Sequence, residues 1–260
     1  MIFADLHNHT YLCNHATGSV DEYIQKAISQ GIRVFGFSDH APMNFDQKYR
    51  MNFEQMNLYE EMVLSAKKKY SDKISVRLGY EVDYLEGYID NRVLDRDVDY
   101  LIGSVHFIDK WGFDNPEFIG KYDNMDIDDI WHKYFDAITK MAQSKLFDIV
   151  GHFDLIKVFK FFPTQDIKTI ASSALDAIAE ANMAIEINGA GLRKPVKEAY
   201  PSLLLLREAK KRAIPITFGS DAHAVEQIGL FSKDMVALAV EAGYKSSVTF
   251  EKRKQKVLKF

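Results

Sequence analysis

Residues 5–15 read DLHNHTYLCNH. His7, His9 and His15 fall within nine residues, directly behind the short apolar run MIFAD, although the chain has only eight histidines. Protonated imidazoles this close repel one another, and a bound cation that keeps each ring neutral removes the repulsion. What the stretch means depends on where the other five histidines fall along the chain.

They fall in a repeating frame. MIFAD reads as a strand, and residues 19–31 carry apolar side chains at Val20, Tyr23, Ile24, Ala27 and Ile28, which is helical spacing. Ser19 and Glu22 form a capping-box pattern, and Gly31 suits the helix stop. The unit recurs: strands over 33–38, 74–81, 99–106, 147–152, 184–188 and 215–220 alternate with helical patterns over 53–70, 88–96, 127–143, 166–182, 202–212 and 226–243. Strands alternating with helices imply a parallel sheet, and seven right-handed units close most naturally into a barrel, one strand short of the usual eight. The expected fold is therefore α/β, a distorted seven-stranded TIM-like barrel. No Pro/Gly/Ser-rich linker breaks the chain, so residues 1–260 are expected to form a single domain.

In that frame the histidines mark strand ends. His7 and His9 follow the first strand, and His40 the second in SDH. Glu81 ends the third in GYE, His106 the fourth in SVH and His152 the fifth in GHFD; Asp221 and His223 follow the seventh in GSDAH. His15 sits in the loop behind the first strand. In a parallel barrel all C-terminal strand ends open on one face, where active sites are built. Seven histidines and two carboxylates thus converge from more than 200 residues of sequence. His132 is the exception: it lies mid-helix, off the stripe of Ile130, Trp131, Tyr134, Phe135 and Ile138, and receives no function.

Composition removes other classes. A net charge of −4 and a pI near 6.1 give no footprint for a long nucleic acid or an anionic membrane. No segment approaches the roughly 20 apolar residues of a membrane span. The first residues lack a signal-peptide pattern, and the single cysteine, Cys13, suits a cytoplasmic location. There is no P-loop and no GxSxG elbow.

The motifs DLHNHT, GYE, SVH, GHFDL and GSDAH, in this order, resemble the polymerase and histidinol phosphatase (PHP) superfamily over the whole chain. LCNHA and EINGAGLRK look most like its monofunctional histidinol-phosphatase branch. The resemblance implies three divalent ions per chain. It places His7, His9, Glu81 and Asp221 on the first, His106 and His152 on a second bridged by Glu81, and His15, His40 and His223 on the third. Imidazole-rich, thiolate-free ligation fits Zn, Fe or Mn, and Cys13 is read as a bystander. Asp39 and Asp154, beside ligand histidines, either orient imidazoles or cap the following helices.

Such a centre suits hydrolysis of a small phosphomonoester, with Glu81, Asp221 and His223 as the catalytic group. Arg193 and Lys157 are expected to hold phosphate, and Asp83 with Glu86 to meet a substrate ammonium. The branch resemblance implies release of phosphate from L-histidinol phosphate in histidine biosynthesis. A PHP phosphodiesterase, exonuclease or nucleotide phosphatase is the alternative enzyme, and a non-catalytic PHP partner module the alternative class. A partner module would tolerate lost ligands, whereas every ligand position here is filled.

Overall fold

The structure, a computed structural model, describes residues 4–260; Met1–Phe3 of the first expected strand lie outside the described residues. Seven strands form one parallel sheet: β1 (Ala4–Asp5), β2 (Val34–His40), β3 (Ser75–Asp83), β4 (Tyr100–Ser104), β7 (Ile149–Val150), β8 (Ala184–Asn188) and β9 (Ile216–Gly219), hydrogen-bonded in that order. The labels β5 (Phe107–Ile108) and β6 (Trp111–Gly112) belong to a small hairpin after β4. The sheet curls into a barrel whose seam is bonded just past the strand ends. Leu6 N–H donates to Phe218 O at 2.9 Å, Asp221 N–H to His7 O at 2.7 Å and His9 N–H to Ala222 O at 3.0 Å. The expected seven-stranded barrel is borne out.

Helices α1 (Val20–Ser29), α2 (Met56–Lys69), α3 (Asn91–Leu94), α4 (Ile127–Gln143), α5 (Ile167–Glu180), α6 (Leu203–Lys211) and α7 (Ser232–Glu241) follow the strands in turn. The capping box of α1 is present: Ser19 Oγ accepts from Glu22 N–H while the Glu22 carboxylate accepts from Ser19 N–H. At the other end Gly31 takes φ +73°, a left-handed turn that a β-carbon would strain, and α1 stops there. On α4, Ile130, Trp131, Tyr134, Phe135 and Ile138 are buried, while His132 points to solvent and meets Gln165 Oε1 at 3.0 Å.

The period-2 geometry of the strands sorts the side chains. On β3, Val76, Leu78, Tyr80 and Val82 pack outward against the helices, so Arg77, Gly79, Glu81 and Asp83 face the barrel axis. On β8, Ile185 and Ile187 face outward, and Ala184, Glu186 and Asn188 inward. The axis is apolar toward the N-terminal strand ends, where Leu6, Tyr100, Ile102 and Ile149 meet, and polar toward the C-terminal ends. Tyr100 spans the lower barrel and donates its hydroxyl to Leu6 O at 2.6 Å.

One element has no counterpart in the sequence reading. β10 (Ser246–Glu251) and β11 (Lys254–Lys259) form an antiparallel hairpin that stoppers the N-terminal mouth. Val248 and Phe250 enter the axial cluster beside Ala4, Val34 and Ala184. The hairpin is pinned at its turn: Arg77 Nε donates to Phe250 O at 2.8 Å, Arg253 N–H to Asp99 O at 2.8 Å, and the Arg253 guanidinium pairs with Asp148. Phe250 is 1% exposed within the axial cluster, so Phe250→Ala should cost about 3–5 kcal/mol of unfolding free energy, measured by denaturant titration.

Candidate metal centre

The polar end of the barrel holds a carboxylate ringed by imidazoles. Glu81 Oε2 lies 2.9 Å from His40 Nδ1, 3.4 Å from His7 Nε2 and 3.8 Å from His9 Nε2. Its Oε1 lies 3.0 Å from His152 Nε2 and 3.8 Å from His106 Nε2, and accepts from Ser104 Oγ at 2.7 Å. Asp221 Oδ1 approaches His9 Nε2 at 3.2 Å. The rings crowd in chains: His9 to His223 at 4.0 Å between centroids, His9 to His40 at 4.4 Å, His15 to His223 at 4.5 Å and His106 to His152 at 4.8 Å.

Three groups bring their ligand atoms within 4.8 Å of one another: His7–His9–Glu81, Glu81–His106–His152, and His15–His40–His223. A fourth grouping, His9–Cys13–His223, includes the buried cysteine. Cys13 Sγ, however, donates to Thr10 O at 3.1 Å, and burial followed by the charge of Asp39 pushes its thiol up, away from the thiolate a metal takes.

The donors fit cations. Buried His7 Nε2, both nitrogens of His9, His40 Nδ1, Glu81 Oε2 and His223 Nε2 have no hydrogen-bond partner, though they face one another across a few ångströms. Lone pairs converging this way are stable only around positive charge. The outer nitrogens are tethered as metal ligands require. Nδ1 of His7 meets Glu186 Oε1 at 2.8 Å, that of His106 meets Asp83 Oδ1 at 2.6 Å, and that of His15 meets Cys13 O at 2.8 Å. His9 Nδ1 faces Asp39 Oδ1 at 3.5 Å and His223 Nδ1 faces Asp221 O at 3.2 Å. In these five rings Nε2 is left for the centre.

The backbone is bent to reach this arrangement. Asp221 and His152 sit at φ +51° and +23°, where side chains are strained. Gly219 is required by contact, since a β-carbon there would run into the Glu186 carboxylate and lie 2.6 Å from His7 Cβ.

A cavity of about 770 Å³ opens above the centre. Its floor includes Glu81, His106, His152 and His223, and its walls include Arg193, Asp114, Tyr200, Phe45 and Lys194. Arg193 is braced by donating to Ser220 O at 3.1 Å and Asp221 O at 2.7 Å. Two guanidinium nitrogens are so fixed at the rim of the metal centre.

The comparisons agree with this geometry. The PHP domain model matches residues 5–190, and a PHP-associated model matches residues 204–232. This chain belongs to the PHP domain family. A Deinococcus radiodurans protein named "Probable histidinol-phosphatase" is 39% identical over 96% of this chain and 97% of its own length. The Bacillus subtilis "Histidinol-phosphatase" is 30% identical over 86% of this chain and 95% of its own. The solved histidinol phosphate phosphatase of Lactococcus lactis, complexed with zinc, L-histidinol and phosphate, shares the fold with a TM-score of 0.81 at 23% identity, covering 97% of this chain and 98% of that one.

Within this PHP domain, three residues expected to meet substrate are engaged by other side chains. Asp83 lines the cavity but is 4% exposed with both oxygens engaged: Oδ1 holds His106, and Oδ2 accepts from Arg50 Nη1 at 2.8 Å. Glu86 is exposed and pairs with Lys140 at 3.3 Å. Lys157 is 2% exposed, and its Nζ donates to Glu198 Oε2 at 2.6 Å and Ala199 O at 2.9 Å, with Asp154 Oδ2 at 3.0 Å. The lysine is neutralised by these carboxylates away from the cavity wall. Of the two flanking aspartates, Asp39 faces an imidazole, that of His9, and lies inside β2 rather than at a helix start. Asp154 faces none; it holds Lys157 and accepts from Ser202 N–H at 2.9 Å.

Sequence reading missed Glu186, which holds His7 with one oxygen and accepts His152 N–H at 3.0 Å and Asn188 Nδ2 at 3.1 Å with the other. Asn188 also donates to Asp221 Oδ2 at 3.2 Å. The signal was a lone acid inside the apolar run AIEIN.

Protonation follows charge. Burial opposes the charged form throughout the centre, yet the neighbouring imidazoles, His7 foremost, hold Glu81 and Asp221 well below the carboxylate range. Against the same burial, the facing carboxylates of Asp221 and Asp39 raise His9 to about 9, and the charge of Asp83 raises His106 to about 10. Burial prevails at His40, which falls to about 4, and lowers His15 and His223 as well. In chelator-stripped protein, raised histidines stabilise the fold below pH 6.5 and lose that contribution as pH climbs through 9 to 10. Stripped protein should therefore melt progressively lower between pH 6.5 and 10, while zinc affinity of the His7–His9 and His106–His152 groups rises over the same interval with proton release seen by calorimetry in paired buffers. Glu186→Gln, which takes the carboxylate from His7, should weaken zinc binding about 10- to 100-fold in competition with a chelating dye.

Proposed function

We propose that this chain is a metal-dependent phosphomonoesterase that releases phosphate from L-histidinol phosphate. The observation that carries the reading is the set of three ligand groups converging on the floor of one cavity. Family membership and two relatives, 39% and 30% identical and named histidinol-phosphatases, supply the substrate. In this reading each group holds one divalent ion, Zn, Fe or Mn, giving three per chain. Asp221 completes the His7–His9–Glu81 group, and Glu81 is shared with His106 and His152. The enzyme acts in the cytoplasm in histidine biosynthesis; among the described residues no helix is long and apolar enough to cross a membrane.

When bound, the ions offset phosphoryl charge and acidify water into a nucleophile near neutral pH. This chain's own residues do the rest. Glu81, Asp221 and His223, which line the cavity, form the catalytic group in this reading. Arg193, with two nitrogens already fixed on carbonyls, turns its remaining N–H donors to the phosphoryl oxygens. Asp83 and Arg50 lock His106 in the tautomer that leaves Nε2 free. For the substrate ammonium the available acid is Asp114, a cavity-wall carboxylate raised by burial; an ammonium arriving beside it stabilises its ionised form.

The test is phosphate release from histidinol phosphate, a nucleoside monophosphate, an aryl phosphate and a phosphodiester, with and without chelator. Histidinol phosphate should give the highest kcat/KM and chelation should abolish it. Arg193→Ala should lower kcat/KM roughly 10- to 100-fold for every monoester, because all share the phosphate. Asp114→Asn should hurt histidinol phosphate and spare the aryl phosphate. Faster turnover of the diester or the nucleotide would sink the substrate assignment.

A further inference from the structure

Beside the metal ligands, Arg193 and Asp114, the cavity wall carries a buried polar group without a task, the hydroxyl of Tyr200. Tyr200 is 1% exposed and lines the cavity, and its hydroxyl has no hydrogen-bond partner. A buried hydroxyl left unpaired is costly. The other buried hydroxyls in that condition among the described residues, on Tyr23, Ser38, Thr217 and Thr249, belong to residues that do not line this cavity. Of these residues Tyr200 alone carries its unmet donor on the wall of the cavity.

Its surroundings define that ligand. The ring stands edge-on to His152 at 6.4 Å between centroids, and the charges of Asp221, Asp114 and Arg193 act on the phenol. Tyr200 thus stands beside His152 of the Glu81–His106–His152 group and within the field of the guanidinium proposed to grip phosphate. Burial, followed by those carboxylates, keeps the phenol protonated, so it serves as a neutral donor. The residue is also held rigidly. Asn188 N–H donates to Tyr200 O at 2.6 Å, Tyr200 N–H donates to Asn188 O at 3.0 Å, and Lys157 Nζ stands 5.4 Å from the ring centroid.

We propose that the Tyr200 hydroxyl donates a hydrogen bond to a phosphoryl oxygen of the bound monoester, as the partner of Arg193 in phosphate recognition. The proposal rests on the phosphomonoesterase reading above. Inorganic phosphate, the common product, shares the recognised group and serves as the probe.

Tyr200→Phe removes the donor and keeps the ring. In metal-loaded enzyme it should lower kcat/KM roughly 10- to 100-fold for both histidinol phosphate and an aryl phosphate, and weaken competitive inhibition by phosphate about tenfold. Zinc content and melting temperature should stay at the wild-type values. Unchanged turnover and unchanged phosphate inhibition would overturn the proposal. Should the variant fold poorly, wild-type protein carrying 13Cζ-labelled tyrosine gives the answer directly. One tyrosine resonance should shift on phosphate addition, and no shift at saturating phosphate refutes the contact. Wild-type protein that hydrolyses neither monoester would overturn the enzymatic reading instead, and the labelled-tyrosine titration separates the two failures.

Discussion

Everything at the polar end of this barrel answers to one buried anion. Glu81 is 1% exposed, and five imidazoles stand within 3.8 Å of its two oxygens. Burying a carboxylate without compensation costs far more than a fold of this size has to spare. The compensation here is imidazolium in stripped protein and divalent cation when metal is present. The same constraint explains the outer ring of acids. Glu186, Asp83 and Asp39 each face an Nδ1, so His7, His106 and His9 each arrive with a counter-charge.

The three ligand groups are not equivalent electrostatically. His9 and His106 face carboxylates on their outer nitrogens and hold protons to about 9 and 10. His15 and His223 lean on carbonyls instead, and with His40 they are pulled toward neutrality by burial. The rings of the His15–His40–His223 group are therefore drawn toward the neutral form a metal ligand needs, whereas His9 and His106 in the other two hold protons that a cation would have to displace. Loading is expected to begin at the more open, neutral group and proceed inward.

How much of this was legible in the sequence follows from which physics is local. Strand and helix alternation is a periodicity, so all seven sheet strands and the strand-end position of each ligand could be read off. Convergence of those ends follows from parallel topology alone. The partners of a side chain are a different matter. Asp83 follows Glu81 by two residues and so shares its inward face, but nothing local says that Arg50, 33 residues earlier, will claim it. Lys157 is equally opaque, since its counter-charge Glu198 lies 41 residues on. The C-terminal hairpin escaped for another reason. Val248 and Phe250 alternate as a strand should, yet β11 is largely exposed and lysine-rich and reads as solvent-facing chain.

The contrast between Lys157 and Arg193 shows how the fold assigns roles to like charges. Both are basic and follow barrel strands. Lys157 lies beside Asp154 and is met by Glu198, so its charge is consumed within the protein. Arg193 finds only the carbonyls of Ser220 and Asp221, which orient a guanidinium without neutralising it. A cation that is held but not paired keeps its attraction for an incoming anion, and burial, which disfavours its charge, strengthens that attraction by excluding water. The carbonyl that Arg193 grips most closely is that of Asp221, a residue at φ +51° whose side chain faces His9. The placement of the Arg193 guanidinium and the geometry of the histidine cluster are thus tied through one strained residue. A shift of Asp221 would be felt by both Arg193 and His9, whereas Lys157 is tied to Asp154 and Glu198 instead.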